Sequence, residues 1–148
     1  MYKASMRFHT TVEKRAEIVF DYVSDLSRHG EWAANPLTIT SLSDEPIGVG
    51  KAYRSLAEVR SLTFEADLVV STFERSNRFG FKGEDSTGKF KHTFLFVPLP
   101  MGSKIERIFE FELTFRQWLL FYLLYLPVRR PAGLQAMARL KKELEGGS

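Results

Sequence analysis

A two-residue beat in two segments, "LTFEADLVV" and "KIERIFEFEL", narrows the fold more than anything else in the chain. In the first, Leu62, Phe64, Ala66, Leu68 and Val70 share one side while Glu65 and Asp67 take the other. In the second, Ile105, Phe109, Phe111 and Leu113 oppose Glu106, Glu110 and Glu112. Successive side chains point to opposite faces of a strand, so each segment buries one face and wets the other. Strands of this kind form an antiparallel sheet whose apolar side needs a cover.

The neighbouring runs extend the pattern. "LTITSLS", "KAYRSLAEV", "RFGFKGE" and "KFKHTFLFV" read as further strands, punctuated by "DEPIGVG", Asn77, "GEDSTG" and "PLPMGS". Met6, Phe8 and Thr10 alternate with Arg7 and His9 as an opening strand. Between that strand and the others, Ala16, Val19, Phe20 and Val23 fall at helical spacing and Leu26 follows. They predict an amphipathic helix broken near Ser24 to Gly30. The order is strand, helix, about six strands and a terminal helix. It predicts an α+β fold in which helices cover a curved antiparallel sheet. With 148 residues, the chain suits one domain spanning 1–148.

The closing segment, "RQWLLFYLLYLPVRRP", supplies the main cover. Thr114 and Gln117 have capping-box spacing, and Leu113 and Trp118 are placed as a hydrophobic staple. From Phe115 to Leu126 a helix would be about 18 Å long, against a bilayer core of about 30 Å. It is too short to span, and Pro127 interrupts it. After Pro131 an amphipathic helix resumes, with Leu134, Met137, Ala138, Leu140 and Leu144 as its apolar stripe. Trp118 to Leu126 is apolar on every side, so the sheet shelters only one flank. The other must meet a loop, a second subunit, a ligand or lipid.

Composition and motifs exclude several functions. The chain has no cysteine, so it has neither thiol chemistry nor a disulfide framework. "MYKASMRFHT" lacks an apolar signal-peptide core, which makes the cytoplasm the expected location. From Arg116 onward six basic residues (Arg116, Arg129, Arg130, Arg139, Lys141, Lys142) stand against two acidic ones (Glu143, Glu145). That is no aromatic-interleaved stripe for nucleic acid. It suits a solvated helix face, or an anionic membrane surface or acidic partner. His9 and His29 have no metal-ligand spacing, and neither a phosphate-cradling glycine loop nor a nucleophile elbow is present. No metal or nucleotide cofactor is implied.

Polar residues in phase with the apolar face carry the remaining chemistry. Arg107 lies in step with Ile105 and Phe109. It either turns outward through a bulge, snorkels to a rim, or holds an anionic oxygen inside. His92 lies in step with Phe90, Phe94 and Phe96, as a satisfied core histidine or as a general base near neutral pH. Tyr53 and Ser55 are in step with Ala57 and Val59, as ordinary strand residues or as hydrogen-bonding partners of a ligand.

With these elements placed, the chain resembles the START-like (SRPBCC) superfamily, in particular its polyketide cyclase/dehydrase and lipid-transport branch. The resemblance lies in "AEIVFDYVSDLSRHGEW" after the opening strand, "GVG" leading into "KAYRSLAEV", and the closing "ARLKKELE"; Val19, Phe20, Asp25 and Trp32 are the matching anchors. "TVEKRAE" stands where the family usually has a proline-containing turn. The resemblance implies a helix-grip fold, a curved antiparallel sheet wrapped around a long C-terminal helix, with a cavity for a lipid-, sterol- or polyketide-like molecule between them. The expected ligand-binding set is Tyr53, Ser55, Phe64, Leu68, His92, Phe94, Arg107, Phe109, Trp118 and Tyr122. Alternatively the same cavity serves a cyclase or dehydratase with His92 and Arg107 as its catalytic pair. A third reading is an interaction module in which Trp118 to Arg130 docks on a membrane surface or a second subunit.

Overall fold

The computed structural model describes residues 2–86, 88–120, 122, 123 and 126–146, apart from the side chains at 126, 128 and 129. Strand β1 (Tyr2–Val12) leads through helix α1 (Ala16–Val23) and a 3₁₀ turn (Leu26–Glu31) into six strands. These are β2 (Leu37–Ser41), β3 (Ala52–Val59), β4 (Leu62–Glu74), β5 (Arg78–Asp85), β6 (Gly88–Leu99) and β7 (Gly102–Leu113). Helices α2 (Phe115–Leu120) and α3 (Leu126–Gly146) follow. All seven strands pair antiparallel in one sheet of order β1-β7-β6-β5-β4-β3-β2. This is the α+β helix-grip architecture, a curved sheet with a long C-terminal helix.

The alternation sets which face is wet. Glu65, Asp67, Glu110 and Glu112 are exposed or partly so, and Glu106 is half-buried. Two cross-strand ion pairs lie on this outer face, Arg7–Glu106 at 2.7 Å and Arg54–Asp67 at 3.0 Å. The inner face holds the core. At one end of the sheet α1 and the 3₁₀ turn fill the concavity: Phe20 sits edge-on to Phe73 and Phe96, each at 5.2 Å. Val19, Val23 and Leu26 are wholly buried there. Asp25 caps the 3₁₀ turn by accepting from the Ser27 amide at 3.2 Å.

The C-terminal segment departs from the sequence reading in two ways. Helix α2 ends at Leu120, Tyr122 and Leu123 are in π-helical conformation, and α3 begins at Leu126 rather than after Pro131. Pro131 lies inside α3 and removes one backbone hydrogen bond. The buried stripe is also rotated. Ala136, Met137, Leu140 and Leu144 face the sheet, whereas Leu134 and Ala138 are exposed. The close approach at Gly133 sets this phase, since a Cβ there would stand 2.3 Å from the tip of the Phe8 ring. Phe121, Leu124 and Tyr125 of the apolar run lie outside the described residues, as do the side chains of Leu126 and Arg129.

Candidate ligand-binding cavity

Where α1 and the 3₁₀ turn stop, the concave face is no longer filled. The inward row of β6 makes the change plain. Phe94 and Phe96 are packed beneath Trp32 and Phe20, while Phe90 and His92 border open space. That space is a cavity of about 510 Å³, within the usual range of roughly 300–1,000 Å³ for small-molecule sites. Ile39, Ser55, Phe64, Leu68 and Phe81 wall one side; Phe109, Phe111 and Leu113 wall the other. Gly83 helps to shape the floor: a Cβ there would lie 2.4 Å from Phe90 and 2.6 Å from Leu68, so only glycine lets both side chains lean across.

Among the described residues, α2 rather than the long helix supplies the helical cover of this cavity. Thr114 and Gln117 form the reciprocal cap, with the Thr114 amide donating to Gln117 Oε1 at 2.9 Å and the Gln117 amide to Thr114 Oγ1 at 3.3 Å. The cap fixes the first turn, so that Gln117 and Leu120 lie over the mouth. Asp85, Ser86, Gly88 and Lys89, from the β5–β6 hairpin, complete the rim.

Arg107 is the chemically unusual wall residue. Register places it on β7 between Phe8 of β1 and Phe94 of β6, with its side chain inward. Its guanidinium carbon lies 4.1 Å from the Phe109 ring centre, 5.0 Å from Trp32 and 5.2 Å from Phe94. Among the described residues no carboxylate comes within ion-pair distance of it, and its Nε has no hydrogen-bond partner. Burial alone pushes the guanidinium down to about 9, so it stays charged at neutral pH. A buried cation is ordinarily paired, and the rings around this one offer π-faces but no acceptor oxygen.

Two histidines stand beside it. Arg107 Nη2 donates to His92 Nδ1 over a long 3.4 Å. An arginine can only donate, so in this contact the neutral His92 ring carries its proton on Nε2. His29, fully enclosed, donates from Nε2 to the Val23 carbonyl at 2.7 Å, which leaves Nδ1 as its acceptor nitrogen. Burial drives its pKa down to about 3, and the nearby Arg107 charge adds to that, so it is neutral at physiological pH. His29 lines the cavity although nothing in its sequence neighbourhood pointed there. Only the enclosure of the 3₁₀ turn by Trp32, Phe81 and Phe94 brings it in.

Of the residues singled out from sequence, the structure gathers Ser55, Phe64, Leu68, His92, Arg107 and Phe109 around the cavity. The other four lie elsewhere. Tyr53 and Phe94 are buried in the filled part of the core, and the Tyr53 hydroxyl has no partner among the described residues. Trp118, half-buried against the edge of the core, and Tyr122, just past α2, belong to a ring cluster away from the cavity lining. Trp118 lies 5.7 Å from Tyr2 and 5.3 Å from Tyr122. Phe115, Leu119, Tyr122 and Leu123 are exposed. No helix among the described residues is long and apolar enough to cross a membrane.

This architecture recurs in solved structures. The TTHA0849 protein from Thermus thermophilus superposes with a TM-score of 0.80 at 17% identity, over 98% of this chain and 99% of that one. The Zhui aromatase/cyclase from a Streptomyces species gives 0.73 at 9% identity, covering 99% of each chain. Ara h 8.0201 gives 0.68 at 10% identity, over 97% and 98%. No family model matches the sequence, and no curated protein does so either. At such identities the likeness establishes the helix-grip fold and nothing finer.

Proposed function

We propose that this protein binds a largely apolar small molecule carrying one anionic oxygen group, with Arg107 as the anchor. The observation that carries the reading is the buried guanidinium in the wall of an aromatic cavity, without a carboxylate of its own among the described residues. A carboxylate, phenolate or enolate oxygen would supply the missing partner through a charge-assisted hydrogen bond. The apolar walls provide affinity and Arg107 selects the charge.

Displacement of the fluorescent dye 8-anilinonaphthalene-1-sulfonate by decanoate and by decanol tests this. A hydrogen bond to a charged group is worth roughly 10- to 100-fold in affinity, so decanoate should bind tighter than decanol by about that factor. Arg107→Met should abolish the preference. Equal affinities in the wild type, unchanged by Arg107→Met, would refute the reading.

A second reading, a cyclase or dehydratase acting on a polyketide-like chain, is favoured by the His92–Arg107 contact inside the cavity and by the likeness to an aromatase/cyclase. His92 would take the proton from a carbon between two carbonyls while Arg107 holds the enolate oxygen. The enolate carbon would then bond to a second carbonyl carbon of the same chain, whose oxygen takes the proton back from His92 and becomes a hydroxyl. That hydroxyl and the remaining hydrogen of the carbon between the carbonyls then leave as water, forming a C=C bond. For His92 to act as a base through Nδ1, substrate must first displace the Arg107 contact. Full turnover of a poly-β-ketone substrate by His92→Ala and Arg107→Ala variants would remove this version.

A further inference from the structure

We propose that the ligand carries its anionic oxygen in the middle of the molecule, between two apolar arms, because Arg107 stands at the waist of two hollows rather than at the end of one. This rests on the reading of Arg107 as the anchor. A second hollow, of about 230 Å³, lies on the far side of that residue. Met6 and Phe8 of β1, the loop at Ala33 to Pro36, Val59, and the α3 residues Ala132, Gly133 and Ala136 wall it. The two hollows have His29, Leu37, Ala57, His92, Arg107 and Phe109 in common.

The shared set contains the cation, both ring-nitrogen groups next to it, and three apolar residues. The buried cation thus stands where the two hollows meet, while Ser55 and the rim residues Asp85, Ser86, Lys89 and Gln117 are the further polar groups of the larger one. Beyond Arg107 the described residues lining the smaller lobe are mostly apolar, with the Asn35 side chain and the indole N–H of Trp32, which has no partner among the described residues, as its polar additions. Among the described residues α3 presents small ones to this lobe, at 132, 133 and 136, which leaves it room, and Gly133 rests directly on the Phe8 ring. A molecule with a terminal carboxylate held at Arg107 reaches into one lobe and leaves the other without contact. An apolar wall with nothing against it forfeits its dispersion contacts and its share of the hydrophobic gain. A molecule whose anionic oxygen is internal fills both. The chemical class is an α-branched carboxylate, or a β-dicarbonyl enolate or phenolate flanked by hydrocarbon on both sides.

Two isomeric acids separate these arrangements: decanoate, with its charge at the end, and 2-butylhexanoate, with its charge between two four-carbon arms. Both carry the same charge and the same number of carbons. Displacement of 8-anilinonaphthalene-1-sulfonate should show 2-butylhexanoate binding about tenfold more tightly, the worth of roughly two further buried methylenes. Ala132→Phe fills the small lobe from α3 and should erase that advantage while leaving decanoate unchanged. Val59→Phe closes the same lobe from β3 and should act alike, so a folding defect in one variant does not decide the matter. Equal affinity for the two isomers, or an advantage that survives both substitutions, overturns the two-armed ligand. In that event a selectivity for decanoate over decanol that vanishes in Arg107→Met still supports the anchor. Failure of both acids to bind overturns the anchor as well.

Discussion

Replacing Arg107 by methionine should stabilise the protein while removing its preference for anions. Burial lowers the guanidinium from its ordinary value to about 9, and at about 1.4 kcal/mol per pH unit the folded state disfavours that charge by about 5 kcal/mol. The sign follows from proton binding. Between about 9 and the ordinary arginine value the folded chain holds fewer protons than the unfolded one, so stability rises with pH in that window. Below it both states are fully charged and the whole penalty is present, including at pH 7. Cation–π contacts to Trp32, Phe94 and Phe109 offset part of it, at about 0.5–2 kcal/mol each. Methionine fits the same aromatic surroundings and gains its own sulfur–ring contacts. The net gain for Arg107→Met should be about 1–3 kcal/mol, in line with other buried charges exchanged for apolar residues. In a chain of this length each kcal/mol moves the melting temperature by about 2–4 °C. Urea unfolding at pH 7, with an unchanged m-value, is the direct measurement. A variant less stable than wild type by more than about 1 kcal/mol would mean that the fold itself satisfies Arg107, and the argument for a ligand partner would lose its basis.

Other outcomes follow from the same structure. His29, held neutral with a pKa of about 3, should make stability fall as pH drops below 6.5, because the unfolded chain takes up a proton there that the folded chain refuses. The slope is up to about 1.4 kcal/mol per pH unit, and His29→Phe should lose it in urea titrations run from pH 7 to pH 4. Thr114→Ala removes the α2 cap at a cost of about 1 kcal/mol and should weaken ligand binding, since Gln117 and Leu120 then lose their fixed place over the mouth; thermal melts and dye displacement report the two effects separately. The β3–β4 hairpin turns through Arg60 and Ser61, both at positive φ (50° and 69°), without a glycine. The double substitution Arg60→Asn with Ser61→Gly should raise stability by about 1 kcal/mol with no change in ligand affinity, as read by chemical unfolding and dye displacement.

Several parts of the site were legible because strand periodicity is rigid. Once Phe109 and Ile105 face inward, Arg107 must as well, and the same logic carries His92 with Phe90 and Phe94. Tyr53 and Phe94 obey the same parity but are core, because what fills the concavity above a given strand position depends on where α1 and the 3₁₀ turn come to rest. Trp118 and Tyr122 were drawn to the ligand by their apolarity. They instead join Tyr2 and Phe115 in a ring cluster where α2 meets β1, and the polar Gln117 lines the cavity. His29 had no local signal, since its apolar neighbours come from β5, β6 and the residue three further on.

By itself the sequence determined the order of the elements, the antiparallel pairing of successive strands, the wet and dry faces, and the helix start at Thr114. These are short-range properties, set by the two-residue repeat, by turn residues and by capping chemistry between positions three apart. Tertiary structure alone decided that the concave face is filled at one end and hollow at the other. It also decided that α2 lies over the larger space, and that Arg107 stands between two lobes. Emptiness is not a property of any residue. It is the volume left over when curved sheet and helices have packed as far as their side chains allow, and that volume depends on the whole chain at once.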